Sequence, residues 1–449
     1  MRCTRAAVAV AGLLLLAGCG GGTDSGDEPG GGKSTGGAKP GAGQELKVKL
    51  RVPDAFDGTR GWQDSLTWLP DDATSRPFAA APGSGLFALV KKRGDAYVLE
   101  VRDVATGALR FAGKPWRAPE PLEPYGSRAA ETAGVEAVEQ DGKEYFALWA
   151  HGLAGKDALS KGKEVVALAL YPADTTGTSA APAHTAAVPT EKYSGNARVR
   201  DGGAGLLVTS DDADGGTSVD AATGRTEAYP GTLKLPETCE AIACVGADVR
   251  TLTGKGPVIA METGGFGVPG VWNNSRFVPP GAAHGDYEEF HARAVTAVPG
   301  HVIASWAGED DGKMWAVHNA DTGAVEATVT CEEGPTDDGP SALSPDGRYL
   351  AAGPLAYDLR SGKGYCFAGS AEDRAITLVS VGDDGLAYGM AEGDEPDTAG
   401  ATVAVPLDTG TPKALPEGVE LPVLSLPETG VFTPFVDGPG ILLSFNQRR

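Results

Sequence analysis

Asn319-Ala320-Asp321-Thr322-Gly323 joins two alternating runs, 313–319 and 324–330, and the same phrase returns along the chain. It stands as Asp103-Val104-Ala105-Thr106-Gly107, Asp220-Ala221-Ala222-Thr223-Gly224, Asp358-Leu359-Arg360-Ser361-Gly362 and Leu407-Asp408-Thr409-Gly410. Degenerate copies sit at Asp174-Thr175-Thr176-Gly177 and Asn273-Asn274-Ser275. The leading Asp or Asn accepts hydrogen bonds from backbone N–H groups just beyond it, Thr or Ser does likewise, and Gly takes the positive φ that closes a hairpin. Each copy therefore predicts two antiparallel strands. Recurrence at intervals of roughly 50 residues marks a repeat architecture.

The clearest repeat, 293–331, reads as four strands, 293–297, 301–306, 313–319 and 324–330, with tight turns between them. The same template places units near 78–113, 134–189, 196–229, 247–279, 341–367 and 375–415. The remaining stretch, 421–445, holds only three strands. The alternating run Leu46-Lys47-Val48-Lys49-Leu50-Arg51-Val52 is expected to supply the fourth, pairing the N-terminal strand with the C-terminal unit and removing two exposed edges. The predicted fold class is all-β: a β-propeller of about eight four-stranded blades. Seven is the alternative, because the second unit is long and the fourth weak. Dense Gly (65) and Pro (32) between short β-type runs argue against long helices.

Ala342-Leu343-Ser344-Pro345-Asp346-Gly347-Arg348-Tyr349-Leu350 reads strand, turn, strand. It resembles the start of a blade in WD40-like and TolB-like propellers, and the Asp-x-x-Thr-Gly turns resemble the repeats of quinoprotein-like propellers. The resemblance spans most of 78–445 and implies a scaffold rather than a chemistry. Quinoprotein enzymes hold their cofactor with a disulfide between adjacent cysteines, calcium ligands and a catalytic Asp. This chain has no Cys-Cys pair, so no cofactor is expected.

Upstream, Arg2 and Arg5 precede a short apolar run that ends in Leu16-Ala17-Gly18-Cys19. This stretch resembles a bacterial lipoprotein signal. The resemblance implies that residues 1–18 are a signal peptide, that the Cys19 thiol carries a diacylglycerol, and that the protein sits lipid-anchored on the extracytoplasmic face of the cell membrane. The apolar run is about half the roughly 20 residues a spanning helix needs. Residues 19–44, almost wholly small and polar after Cys19, cannot bury apolar surface and are expected to form a disordered tether. A Gly-rich coil of about 25 residues spans roughly 28 Å. Residues 45–449 are then the propeller domain. Without residues 1–18, which carry two arginines and no acid, the net charge moves from -22 to -24. Such a surface repels nucleic acid, and no Lys/Arg cluster offsets it. Ala- and Gly-rich composition resembles that of secreted actinobacterial proteins.

Four cysteines remain once Cys3 and Cys19 are set aside, which suggests two disulfides outside the cytoplasm, of three possible connectivities. The pairing expected is Cys239 with Cys244 and Cys331 with Cys366. No Cys-x-x-Cys with a nearby His supports a zinc site.

His284-Gly285-Asp286-Tyr287-Glu288-Glu289-Phe290-His291 is where imidazoles and carboxylates crowd together. His284, Asp286 and His291 are weak metal candidates, since no metalloenzyme spacing is matched and an ordinary inter-blade loop accounts for them. Acidic turns at 211–215 and 309–312 look like calcium loops, but Ala221 stands where a bidentate Glu belongs. Gly32-Lys33-Ser34-Thr35-Gly36 imitates nucleophile and phosphate-loop motifs inside the tether, with no strand or helix to hold it. Trp149, Trp272, Trp306 and Trp315 are expected between blades, while Trp62 and Trp68 could cover one face of the ring. The function expected is a non-catalytic binding scaffold for a protein or small-molecule ligand. The alternatives are a hydrolase or lyase built on funnel loops, and an envelope assembly factor. Lipidation at Cys19 is checked by growth with a labelled fatty acid: label is expected in the wild-type protein and absent from Cys19→Ser.

Overall fold

Alternation becomes strand: among the described residues, apart from one 3-10 turn at Asn274–Arg276, every regular element is a β-strand. The structure is a computed structural model. It describes residues 44–449 except 71–72, 74, 123–131, 191–195, 211–212, 236–245, 262–264, 284–291, 309–311, 338, 394–398 and 435–439. Cys19, Cys239, Cys244, His284, Asp286 and His291 lie outside the described residues.

The strands group into eight units of four, blades 1 to 8 in chain order. Blade 1 is Phe78–Ala81, Leu86–Arg93, Ala96–Asp103 and Leu109–Gly113, and blade 2 is Gly134–Gln140, Lys143–Lys156, Lys161–Pro172 and His184–Pro189. Blade 3 is Ala197–Asp201, Leu206–Ser210, Ala213–Val219 and Thr226–Pro230. Blade 4 is Ala247–Thr253, Gly256–Met261, Phe266–Val268 and Trp272–Asn273. Blade 5, the one clearest in the sequence, is Ala292–Val298, His301–Ala307, Lys313–Asn319 and Val325–Thr330. Blade 6 is Ser341–Leu343, Tyr349–Ala352, Leu355–Asp358 and Lys363–Cys366, and blade 7 is Ile376–Val381, Leu386–Glu392, Ala399–Pro406 and Lys413–Ala414. Blade 8 takes Pro422–Ser425, Thr429–Phe432 and Ile441–Arg448 from the C-terminus and Phe56–Leu66 from the N-terminus.

Strands in mid-blade are buried almost continuously, as in Leu86–Arg93 and Lys313–Asn319, because neighbouring blades cover both faces. Eight apolar clusters result, one in each seam between consecutive blades, and the cluster joining blade 8 to blade 1 closes the ring. The protein is an eight-bladed β-propeller.

Two expectations are corrected. The closing strand is Phe56–Leu66, not 46–52, although it does join the C-terminal blade. A strand wedged between two seams needs large apolar side chains on both faces. Phe56 reaches Tyr388 and Phe432 on the blade 7 side, and Trp62 and Leu66 enter the cluster shared with blade 1. The run at 46–52 offers only aliphatics between three cations, and its Val48 is exposed. Second, Asp174–Gly177 does not lead into the outer strand of blade 2. It leads into Gly177–Ala180, which crosses to pair in parallel with Leu109–Gly113 of blade 1, and the outer strand comes later. That crossing strand is why the second unit is long. The Asn273-Asn274-Ser275 copy likewise lies after, not before, the outer strand of blade 4.

Where the Asp-x-x-Thr-Gly phrase is complete, its chemistry is as read. Asp103 Oδ1 accepts from the Thr106 N–H and Oγ1 at 3.0 and 2.7 Å, and Asn319 Oδ1 accepts from Thr322 at 3.1 and 3.0 Å. Gly107 and Gly323 follow at φ 70° and 77°.

Each of these turns also receives a side chain from the preceding blade. Trp62 of blade 8 lies on Gly107 of blade 1 and donates its Nε1–H to the Val104 carbonyl at 2.7 Å. Trp272 of blade 4 lies on Gly323 of blade 5 and donates to the Ala320 carbonyl at 2.9 Å. Tyr365 of blade 6 lies on Gly410 of blade 7 and donates to the Leu407 carbonyl. At the seam between blades 2 and 3 the outer-strand residue is His184, against Gly224. Trp62 and Trp272 are thus seam residues; Trp62 does not cover a face. Trp149, Trp306 and Trp315 are buried in seams as well.

Between blades 5 and 6 the outer strands pair directly, Thr328 with Lys363, and Cys331 is bonded to Cys366 with a Cα–Cα distance of 5.6 Å. Closing a loop of 35 residues corresponds to about 3–4 kcal/mol of chain entropy.

Truncating Trp62 should be among the most damaging single changes, because it removes the stack on Phe445, with ring centroids 3.6 Å apart, and leaves the Val104 carbonyl without its donor. We expect Trp62→Ala to lose roughly 3–5 kcal/mol in urea unfolding. A loss below about 1 kcal/mol would show that ring closure does not depend on it.

Candidate functional site

Blades 3 and 4 meet differently from the rest. Among the described residues their seam has neither an aromatic latch nor a disulfide, and the strand pairing across it is one parallel pair, Gly215 with Asp248. Gly216 permits that approach: a Cβ there would lie 3.2 Å from the Val249 side chain of blade 4. Further out the blades separate. The strands of blade 4 shrink from seven residues to two, while the outer strand of blade 3 keeps five.

The gap is a cleft of about 1160 Å³. One wall is the face of Thr226–Pro230 with Ser218, the other is Pro257, Val268 and Pro269, and the floor includes Leu233 and Leu252. Tyr229 is half-buried within it. Its hydroxyl lies 3.4 Å from Ser218 Oγ, and burial pushes the phenol above its usual pKa. Arg225, Lys255, Asp141, Asp220 and Glu227 also border the cleft.

Inward, the cleft shares Gly203, Ala204 and Leu252 with a smaller cavity of about 290 Å³ that reaches Glu139 and Asp201. There the innermost strands carry charge. The Asp201 carboxylate accepts from the Gly203 N–H at 2.8 Å, yet burial, with Glu139 beside it, pushes its pKa up to about 7. Glu136, facing Arg76 and Asp201, is pushed up to about 8, burial outweighing the arginine. Arg200 donates to the carbonyls of Val249 and Arg250 at 3.1 and 3.0 Å. Burial, with Arg250 and Arg198 nearby, pulls its pKa down to about 10, so it stays cationic at neutral pH. Arg250 donates in turn to the Val295 carbonyl at 3.1 Å and pairs with Asp248 and Asp337, each at 3.1 Å. Thr251 Oγ1 donates to the Gly202 carbonyl at 2.7 Å. Among the described residues the seam is therefore clamped at its inner end by hydrogen bonds and open at its outer end.

Two other histidine constellations are structural. His151 Nε2 lies 3.0 Å from Glu164 Oε1 and 3.2 Å from Thr190 Oγ1. Acid and hydroxyl thus share one ring nitrogen, whereas a nucleophile relay needs them on opposite nitrogens. His318 is wholly buried beside Phe266 and Trp306, and burial pulls its pKa down to about 4. Among the described residues, no three His, Cys, Asp or Glu side chains are placed to hold a metal ion.

Glu136, Asp201, Arg200, Arg250 and the cleft match no motif in the sequence. A signal was present: Ala197-Arg198-Val199-Arg200-Asp201 and Ala247-Asp248-Val249-Arg250 alternate apolar with charged residues on the first strands of blades 3 and 4. A first strand is innermost, so its charges meet the axis of the ring.

No protein-family model matches the chain, and no curated protein matches it in sequence. Solved structures similar to it include the WD40 domain of Toxoplasma gondii coronin (11% identity, TM-score 0.32, 90% of each chain covered). Others are the Dos1 propeller (12%, 0.38, 83% of this chain and 93% of that) and a polysaccharide lyase, ulvan lyase (11%, 0.36, 89% and 96%).

Raised carboxyl pKa values have a defined linkage sign: the native state holds protons that the unfolded chain has released, so stability falls as pH rises from about 4 through about 8. His318 acts oppositely, losing stability as pH falls from about 6.5 through 4, so the window to measure is pH 6.5–8. There we expect the thermal midpoint to decline with pH, at about 1 kcal/mol per unit. Glu136→Gln should flatten most of the slope above pH 7, and an unchanged slope would refute the assignment.

Proposed function

We propose that this protein is a lipid-anchored, extracytoplasmic β-propeller that acts as a non-catalytic binding scaffold, with the cleft between blades 3 and 4 as its ligand site. The observation that carries this reading is the open outer half of that one seam. Elsewhere apolar side chains, a latch, a crossing strand or a disulfide fill the space between blades. A concave site lined by a few apolar surfaces and a few convergent polar groups suits recognition of a protein segment or small molecule. The clamp formed by Arg200 and Thr251 keeps the two walls in register, so the site is held open without a ligand. Extracytoplasmic placement and the anchor rest on the Leu16-Ala17-Gly18-Cys19 signal.

Capture from solubilised membranes, read by mass spectrometry, tests the proposal. Ala228 is exposed on the cleft wall, so Ala228→Arg can fill the cleft without disturbing a core. We expect the variant to keep its thermal midpoint and to lose at least about tenfold of whatever the wild-type protein retains, roughly 1.4 kcal/mol of binding. Undiminished capture by a folded variant would remove the cleft from the binding surface. Turnover of a hydrolase substrate with no captured ligand would replace scaffold by enzyme.

A further inference from the structure

The second and third strands of blade 2, Lys143–Lys156 and Lys161–Pro172, form the longest hairpin among the described residues. Its base is buried from Tyr145 to Gly152, then exposure rises along the arm, which Glu120 braces through a backbone bridge to Leu153 and an ion pair with Lys156. From Leu153 to its end it projects roughly 15 Å at the usual strand rise.

The tip is chemically unlike the rest of the surface. Lys156 stands opposite Lys161, and Lys163 opposite Ala154, so lysines crowd the last pairs. Leu159, at the very end, is 100% exposed. The acid within the tip, Asp157, is occupied by the turn, its Oδ1 accepting from the Leu159 and Ser160 N–H groups at 2.7 Å each. Lys156 is paired with Glu120, so it is Lys161 and Lys163 that give this leucine-tipped arm its positive charge, on a chain of net charge -22.

The register of the closing blade shows which way this arm points. Leu66 pairs with Ile441 and Phe56 with Arg448, so the Leu66 end of that strand lies at the end of the blade where second and third strands connect. Gln44 and Glu45 pair antiparallel with Gly61 and Arg60. Gln44 therefore lies nearer than Glu45 to the 2–3 connection end, the end from which the blade 2 hairpin projects.

We propose that the tip of this hairpin, through Leu159, Lys161 and Lys163, is a membrane-contact element for an anionic lipid bilayer. It rests on the lipid-anchor reading of Cys19: a tether spanning roughly 28 Å holds the arm within reach, and the anchor makes the contact intramolecular, so weak cationic and apolar terms suffice. The lysines meet acidic headgroups, and Leu159 enters the interfacial layer as an apolar side chain among snorkelling cations. The arm also offsets the repulsion between an acidic body and an acidic lipid surface.

The mature, acylated full chain, placed on vesicles of phosphatidylcholine alone or mixed with phosphatidylglycerol, allows amide hydrogen exchange to be followed across 153–163. We expect exchange at the tip to slow several-fold on the anionic vesicles only. Each lysine replaced, Lys161→Glu or Lys163→Glu, should return roughly fivefold, and salt should do the same. Leu159→Asp, at a site that touches nothing, should abolish the protection without altering the thermal midpoint. Equal exchange on both vesicles, with the protein still cosedimenting, overturns the proposal and leaves the anchor standing. Failure to cosediment overturns both. Protection that follows protein density assigns the tip to a second copy, and protection that needs added envelope protein assigns it to a protein partner; either result overturns lipid contact.

Discussion

A ring of separate sheets holds together only if each seam is locked, and at three seams here the lock is an aromatic side chain reaching across a glycine turn. Trp62, Trp272 and Tyr365 come from the outer strands of blades 8, 4 and 6, and each donates to a carbonyl in the turn of the next blade. The turn must be tight and its glycine bare. A Cβ at Gly107 or Gly323 would lie 2.7 or 2.6 Å from the tryptophan ring, and both residues already have a positive φ. The Asp-x-x-Thr-Gly phrase thus does two jobs: it closes a hairpin, and it presents a flat acceptor surface to the neighbour. Where it closes the ring, between blades 8 and 1, the same contact is made by the N-terminal strand that pairs with the C-terminal one in blade 8.

Alternate seams use other devices, and their differences matter for function. A crossing strand covers the seam between blades 1 and 2, and a disulfide with direct strand pairing covers that between blades 5 and 6. Between blades 3 and 4 the lock has moved to the axis, where Arg200 and Thr251 bind carbonyls of the adjacent blade. The outer half is left open, and the charges drawn to the axis include two carboxyls held near or above neutrality in pKa. Cleft and clamp belong to the seam between blades 3 and 4, whereas the two acids, Glu136 of blade 2 and Asp201 of blade 3, meet at the neighbouring seam.

The architecture was largely legible because the turn chemistry is local: an Asp side chain bonding the next amides and a glycine at positive φ need nothing distant. Blade 5 could be read almost to the residue. The closing strand could not, because 46–52 and 56–66 both alternate. What separates them is the size of the side chains that two seams require, Phe56 on one side and Trp62 on the other. The cleft was invisible for a related reason. It arises from a lack of filling between Thr226–Pro230 and a shortened blade 4, and no run of residues announces a gap between strands far apart in the chain.

The amino-acid order by itself determined the all-β class, the repeat and the identity of the turn glycines, since these follow from hydrogen bonds and φ angles within a few residues; the choice between seven and eight blades was left to the structure. Only the tertiary structure decided which N-terminal run closes the ring, which seam stays open, and that Glu136 and Asp201 retain protons near neutral pH. Those outcomes depend on burial and on charges contributed by different blades, which no local stretch contains.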